Sequence, residues 1–335
     1  MVTMADVARR AGVSTATVSR VLNKPIQVDS RTQEIVRTVI SELQYRPNAT
    51  AQGLASRSSK TIGVVINNFG SAYYGRMVDG VEHGLQSVGY KTIAESSRES
   101  LDGEYAAFNS LLERQCEAVI VHSDSMSDEE VALLFERNPK AVLLNRLVVD
   151  VRERCVYLDN VKGAELAARH LLDRGHRKFA MIEGPGRHYQ VRERRLGFKN
   201  VLREAGVEIH PKLIASGEFT YESGMAVMSQ LVGSGERFTS VFCHSDEIAF
   251  GALNYCLEKG IRVPDEISII GFDDLRMSSQ IWPKLTTISQ PLRDIGVAAG
   301  LLAHKLATGS DPDCPIQQIF EPEVAERDTV RSVEP

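Results

Sequence analysis

The chain has 335 residues, a length that suits two domains or one large domain with a small module. With 43% hydrophobic and 25% charged residues it is neither disordered nor collagen-like, and no 18-residue apolar run is present to span a membrane. The net charge of −5 is unevenly placed: residues 1–60 carry nine Lys/Arg against four Asp/Glu, so a basic head precedes an acidic body, as expected where one end meets phosphates.

In chain order, residues 1–45 read as three short helices. Thr3 caps the first with Asp6 three positions on, and Gly12 ends it in a position suited to a left-handed turn. Ser14 caps the second, whose Val18, Val21 and Leu22 share one face, and Asn23-Lys24-Pro25 stops it. Ser30 with Gln33 forms an S-x-x-Q capping box for the third, with Ile35, Val36, Val39, Ile40 and Leu43 on its inner face. Two helices joined by a tight Gly-Val turn and closed by a third form a helix-turn-helix arrangement. Residues 46–60 read as a linker. Ala49–Ala55 has the pattern of a short helix but is too short and Gly-interrupted to hold alone, so it folds only against a partner.

From Thr61 the pattern alternates. Strands are predicted at Thr61–Ile66, Lys91–Ala94, Ala118–Val121, Ala141–Leu144, Cys155–Leu158, Phe179–Ile182, Leu213–Ala215, Ser240–Cys243 and Ile267–Gly271. Amphipathic helices lie between them, among them Gly75–Val88, Tyr105–Glu113, Lys162–Arg174, Gln190–Ala205, Tyr221–Gly233 and Glu247–Lys259. Near-continuous apolar strands alternating with helices mean parallel sheets covered on both faces. There are too many units for one small sheet, so two sheets with a cleft between them are expected. The fold class is α/β, a small all-α head on a body of two doubly wound subdomains.

Five scattered cysteines (Cys116, Cys155, Cys243, Cys256, Cys314) contain no C-x-x-C and read as buried thiols in a reducing cytoplasm. Residues 1–25 lack the apolar run of a signal peptide. No catalytic, metal or cofactor site is expected. The Asp273-Asp274 pair points apart on a strand end, His170 and His176 are six apart, and P-loop, G-x-S-x-G and Rossmann patterns are missing.

Several motifs together carry a resemblance. Met4-Ala5-Asp6-Val7-Ala8, Ala11-Gly12-Val13-Ser14, Thr17–Asn23, Tyr45-Arg46-Pro47-Asn48-Ala49 and Leu54-Ala55 mark the head. Gly175-His176-Arg177-Lys178, Arg194–Phe198, Ser245–Ala252 and Val263–Asp274 follow in the body. Over residues 1–330 the chain resembles the lactose/galactose repressor family. Leu143–Arg146, Arg114-Gln115-Cys116 and Arg154-Cys155 resemble the galactose repressor and isorepressor subgroup.

The resemblance implies a DNA-binding domain at 1–45, a hinge at 46–60 and an effector-binding, dimerising body at 61–335. The body would resemble periplasmic sugar-binding proteins, with subdomain one at about 61–160 and 291–320 and subdomain two at about 161–290 and 321–330. It implies a cytoplasmic, nucleoid-associated homodimer on a pseudo-palindromic double-stranded operator, with no membrane partner. The effector would be a small sugar, galactose-like first, with a nucleoside, purine or other sugar as the alternative. No leucine heptads close the sequence, so a dimer rather than a coiled-coil tetramer is expected.

For DNA the resemblance implies Thr15, Ala16, Thr17, Arg20 and Asn23 on the recognition helix, and Leu54 with Ala55 in the hinge. Arg20 can bond guanine O6 and N7 in bidentate fashion. Leu54 would act as a wedge between base steps in the minor groove. For the effector it implies Arg194 and Asp273 on neighbouring hydroxyls, Asn145 and Ser245 as further polar wall positions, and Tyr73, Tyr74 and Phe219 against the apolar face of a pyranose. Asp246 can bind or cap the helix after it, and Asp159 can be structural.

Overall fold

The computed structural model describes residues 2–45, 58–310 and 315–333. Leu54, Ala55, Arg57 and Cys314 lie outside them. The chain divides into two compact units, Met1–Ser59 and Lys60–Pro335.

The first unit holds three helices, α1 (Met4–Ala11), α2 (Thr15–Asn23) and α3 (Ser30–Glu42). The Thr3–Asp6 capping box is closed in both directions, and Gly12 follows α1 at φ +66°, a region that penalises any side chain. Ser14 Oγ accepts from the Thr17 amide at 3.1 Å and starts α2. The third helix departs from its sequence reading. Asp29, not Ser30, is the cap, its carboxylate accepting from the Thr32 amide at 2.9 Å. A carboxylate one residue earlier wins because it carries full charge toward the helix N-terminus. Gln33 is thereby freed and donates to the Pro25 and Val28 carbonyls at 2.8 and 2.9 Å. Ile35 is exposed rather than inward, because the phase of α3 turns Val36 and Val39 into the core with Val7, Ala8, Val18, Val21 and Tyr45.

The body contains two six-stranded sheets. In the first lobe, β1 (Thr61–Ile66), β2 (Lys91–Ser96), β3 (Ala118–His122), β4 (Ala141–Leu144) and β5 (Cys155–Leu158) are all parallel, in the order β2-β1-β3-β4-β5, with Ile319–Phe320 added beyond β5. Helices α4 (Ala72–Ser87), α5 (Leu101–Glu113) and α6 (Asp128–Arg137) alternate with these strands. In the second lobe, α7 (Asn160–Asp173), β6 (Phe179–Glu183), α8 (Tyr189–Glu204), β7 (Ile214–Ser216), α9 (Tyr221–Gly233), β8 (Ser240–Cys243), α10 (Asp246–Glu258), β9 (Ser268–Asp273) and β10 (Thr286–Ser289) follow one another. They give a parallel sheet β7-β6-β8-β9-β10, edged by antiparallel Glu323–Ala325. The 17-residue α11 (Leu292–Thr308) returns to the first lobe and packs along α4. The chain thus passes between the sheets after β5, after β10 and after Phe320.

The strand expected at Leu213–Ala215 sits one residue later, because Pro211–Leu213 forms a 3-10 turn. Helices α6 and α11 and strand β10 are additions to the elements named from sequence. The inner strands β1, β3, β4 and β8 bury nearly every residue on both faces, which is why they read as unbroken apolar runs, whereas β2 at the sheet edge is only half-buried. Cys116, Cys155, Cys243 and Cys256 are free and buried, and burial raises the pKa of each.

Candidate functional site

On the head, Thr15 and Ala16 open α2 and stand exposed, as does Arg20 one turn on. Thr17 is half-buried, and its hydroxyl is engaged with Ser14 Oγ at 2.9 Å. It therefore has less freedom to reach outward than its neighbours. Asn23 is the last residue of α2.

In the body, a cavity of about 580 Å³ opens between the lobes. Tyr73, Tyr74, Arg194, Phe219, Ser245 and Asp273 line it together, though they come from both lobes and span 200 residues of chain. Asn145 stands behind this wall, buried, its amide donating to the Tyr73 hydroxyl. Tyr73 and Tyr74 meet edge to face at 5.1 Å. Phe219 lies across Gly184, where any Cβ would fall 2.2 Å from its ring.

Arg194 is the most enclosed charge in the molecule's cleft. Its Nε donates to Asn160 Oδ1 at 2.9 Å, its Nη1 donates to the His244 carbonyl, and its guanidinium lies 3.7 Å over the Phe272 ring. Asp273 Oδ1 is 3.6 Å from Nη1 and accepts from Gln290 Nε2 at 2.6 Å. Burial drives the Asp273 carboxyl pKa well up, with Arg194 and Gln290 pulling against it. Asp273 and Asn145 have φ of +121° and +59°, so two of the predicted residues sit on backbone that L-residues seldom adopt.

Ser245 caps α10 by accepting from the Ile248 amide at 3.2 Å. Asp246 is therefore neither cap nor cavity wall. It is fully buried and accepts from the Leu275 amide (2.8 Å), Ser278 Oγ (2.5 Å) and Thr287 Oγ1 (2.5 Å), tying the β9–β10 segment to α10. Burial pushes its carboxyl pKa up to about 7 against those bonds. Asp159 caps α7 through the Lys162 amide at 2.9 Å.

Residues 187–189, at the start of α8, reach across to the first lobe one after another. Arg187 Nη2 is 3.7 Å from Glu99, His188 Nδ1 is 2.9 Å from Asp124 Oδ2, and the Arg146 guanidinium lies 5.7 Å over the Tyr189 ring. The loop after β3 that presents Asp124 is held by buried Glu104, which accepts from Ser123 Oγ and the Asp124 and Ser125 amides at 2.7–3.0 Å. Burial alone would raise the Asp124 pKa, but His122, His188 and Asn67 hold it below the usual carboxylate range. Asn67 Nδ2 donates to that carboxylate at 2.6 Å whatever the charge on the imidazoles. Sequence reading missed this contact set and the wall residues His188, Glu222 and Glu247. They lie in loops or first turns, where polar residues are ordinary, and only the folded lobes bring them to one cavity.

A helix-turn-helix head joined to a two-lobed, ligand-sized cleft defines a DNA-binding transcriptional regulator. Residues 3–48 match the model of bacterial regulatory proteins of the lacI family, and residues 168–330 match the periplasmic binding protein-like domain. The chain belongs to the lacI family of bacterial regulatory proteins. It is 34% identical over 330 residues to the transcriptional regulator GalR of Escherichia coli K12, covering 98% of this chain and 96% of that one. It is 36% identical to GalS of Salmonella typhimurium LT2, with 98% and 97% covered. The lac repressor dimer bound to operator and the anti-inducer ONPF superposes with a TM-score of 0.88 at 28% identity, covering 98% and 99%. The relatives are regulators, not enzymes. Among the described residues, no helix is long and apolar enough to cross a membrane.

Proposed function

We propose that this regulator is a cytoplasmic homodimeric repressor that holds a pseudo-palindromic operator through residues 1–45 of each protomer and releases it when a small sugar fills the body's cleft. The observation that carries the sugar reading is the pairing of wall types in one cavity. Aromatic faces (Tyr73, Tyr74, Phe219) stand with a buried guanidinium–carboxylate pair (Arg194, Asp273). Such a wall suits a ring with one apolar face and a rim of hydroxyls. Kinship with GalR and GalS points the same way. Contacts from Arg187, His188 and Tyr189 to the first lobe tie its position to that of the second, so a ligand that changes their relative setting has a route to the head.

Titration calorimetry of the full chain against hexoses and nucleosides tests the ligand, and gel shifts with and without the binding sugar test release. Asp273→Asn is expected to abolish the sugar response while the apo protein still binds operator. An intact response in that variant refutes the cleft assignment.

On DNA, Arg20→Ala is expected to cost about 1–3 kcal/mol of operator binding and to relax preference at one base pair of each half-site. Lys60→Ala should instead weaken all sequences alike and flatten the salt dependence. Equal loss on operator and random DNA for Arg20→Ala, measured by fluorescence anisotropy, defeats the base-reading role.

A further inference from the structure

Of the adjacent carboxylates Asp273 and Asp274, only the first lines the cavity. Two consecutive residues at the end of β10 hold one each. Gln290 Nε2 donates to Asp273 Oδ1 at 2.6 Å, and Ser289 Oγ donates to Asp274 Oδ2 at 3.0 Å. The other oxygen of Asp274 accepts from Arg327 Nη2 at 2.6 Å. That guanidinium is itself fixed, since its Nη1 donates to the Leu285 carbonyl at 2.8 Å. Neither Asp274 nor Arg327 is on the cavity wall.

The backbone explains why the second carboxylate is held so firmly. Asp273 has φ +121° and Asp274 φ +53°, two consecutive left-handed residues without a glycine. Aspartate tolerates the second value, but the first is costly for any side chain. Such backbone persists only where its surroundings over-determine it. Here the following residue is held as well, the Leu275 amide donating to Asp246 at 2.8 Å. The turn so fixed sets where the Asp273 carboxylate stands, 3.6 Å from Arg194 Nη1.

A further anchor comes from the other lobe. Arg76 stands on α4 one turn beyond Tyr73, and its Nη1 donates to the Asp274 carbonyl oxygen at 2.8 Å. Among the described residues this is the one side-chain bond of Arg76, and it forms no salt bridge there. Arg76 is exposed and does not line the cavity, so a sugar in the cleft does not need to touch it. The peptide group that follows the strained pair is thus tied to the helix that carries the aromatic wall.

Resting on the sugar reading proposed above, we infer that Asp274 is a positioning residue for the effector, holding Asp273 at the setting that meets the ligand, and that Arg76 makes this setting depend on the first lobe. Asp274 itself touches no ligand. When the lobes separate, the Arg76 bond is lost and Asp273 is less well oriented, so tight binding requires the lobes to be together.

Calorimetric titration of the full chain with galactose, glucose, mannose and fructose, beside thermal melts, tests this. For the hexose of these four that the wild type binds most tightly, Arg76→Met is expected to weaken binding about fivefold, the net effect of one hydrogen bond that holds the competent setting. Its melting midpoint should stay within about 2 °C of wild type, because the side chain is exposed. Asp274→Gly accepts the left-handed backbone but loses both side-chain anchors, and its folded form should bind about tenfold more weakly. Arg293→Met breaks the neighbouring surface pair with Asp79 at 2.9 Å and should leave affinity within about twofold. Wild-type affinity in Arg76→Met or in folded Asp274→Gly overturns the inference and leaves the sugar reading standing. An equal loss in Arg293→Met does the same, since it would make the effect one of surface charge. If none of the four hexoses binds the wild type, the sugar reading falls and this inference with it.

Discussion

Arg194→Met should remove effector binding and destabilise the body by about 3–5 kcal/mol, the range for breaking a buried ion pair on one side. The side chain is 2% exposed, so nothing in solvent can replace it. Its loss leaves Asp273 buried with only Gln290 as donor and the His244 carbonyl without its partner, and removes a cation stacked on Phe272. Asp273→Asn alone is milder, because the amide oxygen can still accept from Gln290. The combined variant, Arg194→Met with Asp273→Asn, should therefore be more stable than Arg194→Met by about 1 kcal/mol or more, since the orphaned charge has gone. Urea unfolding of the three variants measures the cycle. A double variant whose loss is the simple sum of the singles would mean that the two side chains do not act as a pair.

The second large effect is steric. Gly80 on α4 faces α11 so closely that a Cβ would lie 2.0 Å from the Arg293 carbonyl oxygen, and Gly296 on α11 returns the contact at 2.1 Å from the Met77 oxygen. Neither partner is a side chain that can swing away. Gly80→Ala should cost about 3 kcal/mol, at the upper end for overpacking, as the helices are forced apart over the first-lobe sheet. Gly75→Ala on the same helix is the control. It is exposed with nothing within 4 Å of its Cβ position, so the change should stabilise by about 0.5–1 kcal/mol through helix propensity alone. Thermal melts of the two variants should move in opposite directions. A shared direction would show that propensity, not the helix contact, governs both sites.

Legibility of the sequence followed the range of the forces involved. The head was readable because its signals are local: Thr3 with Asp6, Gly12 and Ser14 each act within four residues. Its two slips were equally local, a choice between Asp29 and Ser30 decided by charge and the phase of α3 that turns Ile35 outward. The parallel strands showed as apolar runs because both faces are covered. α11 was harder, since its glycines at 296 and 300 serve a contact with α4, distant in sequence, and lower its helical appearance on their own. The cavity residues Arg194 and Asp273 were reached through family motifs, not spacing. His188, Glu222 and Glu247 have no local mark, for each acquires its character only from what the other lobe or the neighbouring helix places beside it.

The successive contacts of Arg187, His188 and Tyr189 also bear on timing. Arg187 and His188 lie in the turn that leads into α8 and Tyr189 is its first residue, so three consecutive residues hold first-lobe partners, and the lobes are expected to part as a single event rather than by gradual widening. A ligand enclosed behind that clasp enters and leaves only while it is undone. Its apparent association rate should then level off as concentration rises, at a ceiling set by the opening of the clasp and not by diffusion. Occupancy would outlast a brief fall in ligand supply, giving the regulator a short memory of what it last bound.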